Sequence, residues 1–235
     1  AANDGYTVKT IAPDGTFYYR LVRPHIGFID AATAPDQATD LLALDTVQMV
    51  TITVTESGYY LNENGALDLH AATIAAELAG AATETIYAYL AKALEKRRVG
   101  SGKPLTILCC DNMRGNGHFL EAALHSYLSA TNNHALASWV KAHVTFPCSM
   151  VDRITPRSTP ALQAEISNLF PAHAAAPIHA ETFLQWVIED NFAAPMPDLA
   201  KAGVEIVSSV EPFEEAKIRI LNGGHTVLAY LGALA

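Results

Sequence analysis

Apolar and polar positions fall into blocks of distinct period along this chain. YTVKTIAPDGTFYYRLV reads as two strands joined at a Pro-Asp-Gly turn. APDQATDLLAL has the make-up of a short helix. In QMVTITVTESGYY, the residues Met49, Val50, Ile52 and Val54 alternate with threonines in a β-branched run that ends at Gly58, the pattern of a buried strand. DLHAATIAAELAGAATETIYAYLAKALEKRR is helical in composition and predicts two helices broken near Gly80. SGKPLTILCCDNMRGNGHFLEAALHSYLSA divides into a buried strand (LTILCC), a loop (DNMRGNG) and an amphipathic helix (HFLEAALHSYL). HVTFPCSMVDRITP supplies a third short strand and loop.

The order helix, apolar strand, loop, helix predicts an α/β fold with a mostly parallel sheet. Beyond about Pro156 the pattern changes to helices with Pro-rich joints, in FLQWVIEDNF, EEAKIRILNGG and TVLAYLGALA. The expected organisation is therefore an incomplete Rossmann-like domain over residues 1–156, then the start of a mainly α-helical substrate domain over 157–235. In open parallel sheets ligands lie beyond the carboxyl ends of the strands. TESGYY, with Glu56, and DNMRGNG, with Asn112, are the two loops in that position.

Composition narrows the function. Half of the 235 residues are hydrophobic, as in a globular chain with a substantial core. Fifteen Lys and Arg against 24 Asp and Glu give a formal charge of −9, which repels phosphate backbones and argues against a nucleic-acid partner. The one basic cluster, KALEKRRVGSGK, reads as a solvated helix end. No run of 18 apolar residues predicts a membrane span, and AANDGYTVKT lacks the basic-then-apolar order of a signal peptide. Three cysteines, two of them adjacent, fit neither a disulfide framework nor a metal clamp, so a cytoplasmic setting is the default. The histidines His173, His179 and His225 show no ligand spacing, and no metal is expected in the chemistry. The oligomeric state is left open.

Three polar groups draw attention. In DNMRGNG, Asp111, Asn112, Asn116 and Gly117 build either a glycine-rich turn or an amide donor for a substrate oxygen. In SMVDRITP, Asp152 and Arg153 sit among Met150, Val151 and Ile154, either as a salt-bridged loop pair or as a partly buried functional pair. In KIRILNGGH, Lys217, Asn222 and His225 interrupt an apolar helix, beside a glycine pair that weakens it. On an ideal helix Asn222 and His225 share a face. Lys217 and His225 lie about 80° apart around the axis and about 12 Å apart along it. Lys217 and Asn222 lie about 140° apart, so their convergence requires a long lysine stem or a helix distortion. A lysine sheltered from water can act as general base on an alcohol, carboxamides can hold the oxygen, and histidine can orient a neighbouring hydroxyl. Together they suit oxidation of a secondary alcohol, with a nicotinamide as hydride acceptor.

The segments CCDNMRGNG, FPCSMVDRITP and KIRILNGGH, in this order and at these spacings, resemble the polyol-specific long-chain dehydrogenases. That family includes mannitol 2-dehydrogenase, D-arabinitol 4-dehydrogenase and the hexuronate reductases. TVTESGYYLNENGALD and ETIYAYLAKALEKRR resemble it too. The resemblance implies a metal-independent, NAD-dependent reaction (with NADP as an alternative) between a small-molecule polyol and its ketose. By the same resemblance Lys217 is the general base, Asn112 and Asn222 the amide pair, and His225 a substrate-positioning residue. Asp152 and Arg153 fall in the substrate loop, with Asp152 also on the nicotinamide side. Glu214 matches a carboxylate on the lysine's proton path, and Glu56 and Asn112 line the cofactor cleft. ESGYYLNENGALD and LNGGHTVLAYLG lean toward the sugar-alcohol members, arabinitol or mannitol. A hexuronate (fructuronate or tagaturonate) reductase and an inactive structural or binding module are the alternatives. Against the family pattern, Cys109 stands where serine is common, and no GxGxxG occurs in the sequence. The expectation is the central part of a larger enzyme.

Overall fold

The computed structural model describes residues 5–81, 84–174 and 176–234. The first four residues of AANDGYTVKT, and Ala235 at the end of the last expected helix, lie outside these. By contacts the chain groups into two compact units, one of residues 1–30 and 152–185, the other of 31–151 and 186–235. The sequence reading set a boundary near residue 156, and the contact grouping changes hands at Asp152.

In the first unit, β1 (Tyr6–Ile11) and β2 (Phe17–Val22) form the expected antiparallel hairpin. Gly15 turns the chain at φ +84°, a conformation that favours glycine. The Asp14 carboxylate accepts from the Thr16 amide and hydroxyl at 2.9 and 2.6 Å, which holds its pKa below the usual carboxylate value. β7 (Ile178–Glu181) lies parallel to β1 on its other side.

The second unit carries the α/β pattern. Helix α1 (Pro35–Ala43) leads to β3 (Met49–Ile52), and a 3₁₀ turn at Glu56–Tyr59 follows that strand. Helices α2 (Ala72–Leu78) and α3 (Ile86–Val99) are separated at Gly80, as the sequence predicts. Then come β4 (Leu105–Cys109), α4 (Asn116–Ala130), α5 (His134–His143) and β5 (Val144–Thr145). β3, β4 and β5 form a parallel sheet in that order. All five residues of β4 are buried, as expected of a central strand with both faces covered. Its Leu105 and Ile107 share a core cluster with Tyr59, Tyr87, Leu120, Leu124 and Leu136, all fully buried. The Tyr87 hydroxyl donates to the Tyr59 carbonyl at 2.7 Å, and the Tyr59 hydroxyl donates to Asp111, so both rings bury their bulk with the polar end satisfied. Burial pushes the Cys109 thiol up to about 12 and the Cys110 and Cys148 thiols up to about 11, which leaves all three protonated at neutral pH.

A second sheet takes the order β6 (Ser149–Asp152), β8 (Gln185–Glu189), β9 (Glu205–Val207), with β8 and β9 parallel. FLQWVIEDNF is therefore strand at its centre, where the sequence predicts helix. The apolar run QWVIE is too short for its period to separate the two, and its β-branched Val187 and Ile188 bury completely once β9 pairs alongside. Helix α6 (Pro160–Leu169) is capped by the Thr159 hydroxyl, as a helix after a Pro-rich joint should be. The chain then ends in continuous helix: α7 (Glu211–Ala216), a π-helical segment Lys217–Asn222, and α8 (Gly223–Leu234). Among the described residues no helix is long and apolar enough to cross a membrane.

The basic cluster corrects the sequence reading at one position. Lys92, Lys96, Arg98 and Lys103 are solvated partners of Asp36, Asp40, Glu95 and Asp45. Arg97, in their midst, is 1% exposed. Its guanidinium donates to five backbone carbonyls, those of Leu42, Leu44, Val47, Lys103 and Pro104. The loop before β3 and the loop before β4 are thereby tied to one side chain.

Candidate active site

The carboxyl end of β4 opens into the DNMRGNG loop, and the two asparagines of that loop have different environments. Asn116 starts α4 and is fully buried. Its Nδ2 donates to the carbonyls of Ser149 (3.0 Å) and Cys109 (3.5 Å) and to Asp111 Oδ1 (3.3 Å). Its Oδ1 accepts from the amides of Gly117 (2.9 Å) and Ser149 (3.1 Å). A carboxamide so used is a brace between β4 and β6, and it faces no ligand. Gly117 permits this brace: a Cβ there would stand 2.3 Å from the Phe146 carbonyl oxygen, closer than any side chain tolerates.

Asn112 is exposed at the strand end. Its Oδ1 accepts from Lys217 Nζ at 2.7 Å. Lys217 Nζ also donates to the carbonyl of Val151 on β6. The loop after β4 and strand β6 thus hold the lysine head group, and its donation to Oδ1 turns the Asn112 NH₂ edge outward as a donor. Lys217 is half-buried, with the exposed Asn222 lining the same slot. The slot is completed by Asp111, Met113, Arg114, Met150 and Glu214.

Helix geometry explains how Lys217 and Asn222 share that slot. Residues 217–222 are π-helical, and the Gly223 amide reaches back five residues to the Ile218 carbonyl. In an i→i+5 register, Lys217 and Asn222 are separated by about one turn and face the same way. Of the two alternatives open from sequence, a long lysine stem or a distortion at the glycines, a distortion is present, in the segment just before the glycine pair.

Glu214 is 7% exposed, one helical turn ahead of Lys217, and accepts from the Gly115 amide at 2.9 Å. Burial raises its pKa above the usual glutamate value, against the opposing pull of the Gly115 amide and Arg114. Glu56 opens the 3₁₀ turn after β3, exposed and outside the slot lining. His225 is exposed on α8, also outside that lining. Asp152 closes β6. Arg153 donates Nε and Nη2 to the Glu181 carbonyl at 3.2 and 3.0 Å, so it anchors β7. The Val151 carbonyl was missed from sequence, because a backbone acceptor leaves no trace in residue type.

Fold and site together define an α/β chain with a lysine and two carboxamides at the carboxyl end of a parallel sheet. Residues 23–201 match the mannitol dehydrogenase Rossmann domain and residues 209–235 the mannitol dehydrogenase C-terminal domain. The chain belongs to the mannitol dehydrogenase family. It is 41% identical, over its whole length, to a D-arabinitol 4-dehydrogenase of Ralstonia nicotianae, of which it covers 50%. It is 39% identical over 98% of its length to a mannitol 2-dehydrogenase of Pyrenophora tritici-repentis, of which it covers 41%. Among solved structures, the Pseudomonas fluorescens mannitol 2-dehydrogenase in ternary complex with NAD and D-mannitol superposes with a TM-score of 0.88 at 34% identity. That match covers 97% of this chain and 47% of the other. The chain spans about half the length of the curated relatives it matches.

Proposed function

We propose that this chain carries the alcohol-oxidising centre of an NAD-dependent polyol dehydrogenase, in which Lys217 is the general base. The observation that supports it is the contact of Lys217 Nζ with Asn112 Oδ1 at 2.7 Å, in a slot that Asn222 also lines. A neutral amine has two N–H groups, and the Asn112 and Val151 oxygens are acceptors for them. The amine lone pair then receives the proton of the substrate hydroxyl. The outward NH₂ edge of Asn112 and the carboxamide of Asn222 donate to the oxygen left behind, where charge develops. Glu214, buried and one turn away, takes the proton onward from the lysine. The orienting of a neighbouring polyol hydroxyl is assigned to His225 on the family resemblance. Asp152 and Arg153 are assigned to the substrate loop on the family resemblance.

A bound nicotinamide supplies the hydride acceptor. The residues present fit its end of the cofactor: Glu56 and Asn112 are exposed at the carboxyl ends of the adjacent parallel strands β3 and β4. NADP remains the alternative to NAD. Arabinitol and mannitol are the first substrates to try, since the relatives matched over nearly the whole chain carry those names. A 43% identity over 188 residues to the D-mannonate oxidoreductase of Escherichia coli supports fructuronate as a second substrate to assay.

The test is NAD-linked oxidation of D-arabinitol and D-mannitol by the protein as expressed from its native reading frame, beside Lys217→Met. The variant should lose about 10²–10⁴-fold in kcat with NADH affinity, read by nicotinamide fluorescence, unchanged. Turnover within a few fold of the parent, or loss of NADH binding with chemistry retained, rejects Lys217 as the base.

A further inference from the structure

We infer that His118, Cys148 and Glu189 form a site for a thiophilic divalent cation, with Zn²⁺ as the probe. One donor atom from each residue lies within 4.8 Å of the others. The three come from different elements: the first turn of α4, the segment before β6 and the end of β8. His173, His179 and His225, the histidines weighed from sequence, take no part.

The donors are one thiol, one imidazole and one carboxylate, the set that zinc takes in tetrahedral sites with solvent in the fourth place. Zinc bonds of about 2.0–2.3 Å put neighbouring donors about 3.5 Å apart, so the three close by roughly an ångström on binding. His118 is exposed and its ring is able to turn inward. Cys148 is 1% exposed and fixed. Its sulfur meets the backbone amides of Gly117 and His118 at the start of α4, where the helix dipole favours negative charge. The thiol proton leaves to solvent as the metal–sulfur bond forms.

Glu189 is already oriented. Its two oxygens accept from the backbone amides of Cys148 and Val210, at 3.1 and 3.3 Å. A carboxylate has about four acceptor positions, so these bonds orient it as outer partners orient a metal ligand. The three donors face a cavity of about 270 Å³, also lined by Arg114, Ser209, Glu211 and Glu214, with room for an ion and its water. The cavity does not include Lys217, so the cation does not touch the proposed base.

The experiment titrates the full 235-residue chain with Zn²⁺ by calorimetry and with Co²⁺ by absorbance. Wild type should bind one equivalent, with a sulfur-to-cobalt charge-transfer band. Its melting temperature should rise by roughly 5–10 °C at a hundredfold excess over Kd. Cys148→Ser should remove the band, and His118→Ala, at an exposed position, should weaken binding by at least about tenfold with an unchanged circular dichroism spectrum. Absence of one-equivalent saturable binding overturns the proposal. So does binding that His118→Ala and Cys148→Ser leave unchanged.

Discussion

Asn116→Ala removes the brace between β4 and β6. In the folded chain the Asn116 carboxamide is fully buried and meets the amide and the carbonyl of Ser149, the Gly117 amide, the Cys109 carbonyl and Asp111. After truncation some of these keep other partners. The Cys109 carbonyl still accepts from the Ser149 hydroxyl, and Asp111 from Tyr59 and the Met113 amide. The Ser149 N–H and C=O each lose the bond to Asn116. Buried polar groups left unsatisfied cost about 1–3 kcal/mol each, so the loss for two is about 2–6 kcal/mol. For a chain of this size each kcal/mol moves Tm by about 2–4 °C, which predicts a fall of at least about 4 °C. Asn116→Asp keeps the volume but aims an oxygen at three acceptors, one of them the Asp111 carboxylate. At neutral pH it should be at least as destabilising as the alanine. Acidification should recover part of the loss, because a protonated carboxyl again donates to the Ser149 carbonyl. Thermal melts by circular dichroism at pH 5 and pH 7.5 measure both variants. An alanine variant within about 1 °C of wild type, or an aspartate variant as stable as wild type at neutral pH, refutes the brace.

Arg97→Met leaves the carbonyls of Leu42, Leu44, Val47, Lys103 and Pro104 without their shared donor, and should cost about 3–5 kcal/mol in a urea melt. Arg97→Lys should fall between methionine and wild type, because a three-donor ammonium replaces a five-donor fork; equal midpoints for all three would reject the role. Glu214 has a raised pKa from burial. A raised folded pKa gives stability that is present below the unfolded value and lost as pH rises through the folded one. Glu214→Gln can still accept from Gly115 and has no charge to bury, so its Tm relative to wild type should rise with pH across that window; a pH-independent difference would contradict the shift.

Much of the α/β pattern is legible in local sequence because it rests on period and turn chemistry. LTILC is apolar without alternation and becomes a strand buried on both faces. The Pro-Asp-Gly hairpin, the break at Gly80 and the amphipathic α4 follow from residue type in the same way. The motif segments were enough to place the chain in its family. The reading failed where an element depends on its neighbour: QWVIE is a strand because β9 lies beside it.

Residue type named Asn112, Lys217 and Asn222 as candidates, since it carries the chemistry wherever the residues fall, and the family resemblance added Glu214. Only the tertiary structure separated exposed Asn112 from buried Asn116, four positions away in the same loop. Only there does the π register turn Asn222 toward Lys217, and only there is Arg97, one of several basic residues on a helix end, sunk among carbonyls. The physical reason is common to all three. Composition fixes what a side chain can donate or accept, whereas its partners are backbone groups brought close by packing of distant segments, and those groups are identical in every residue.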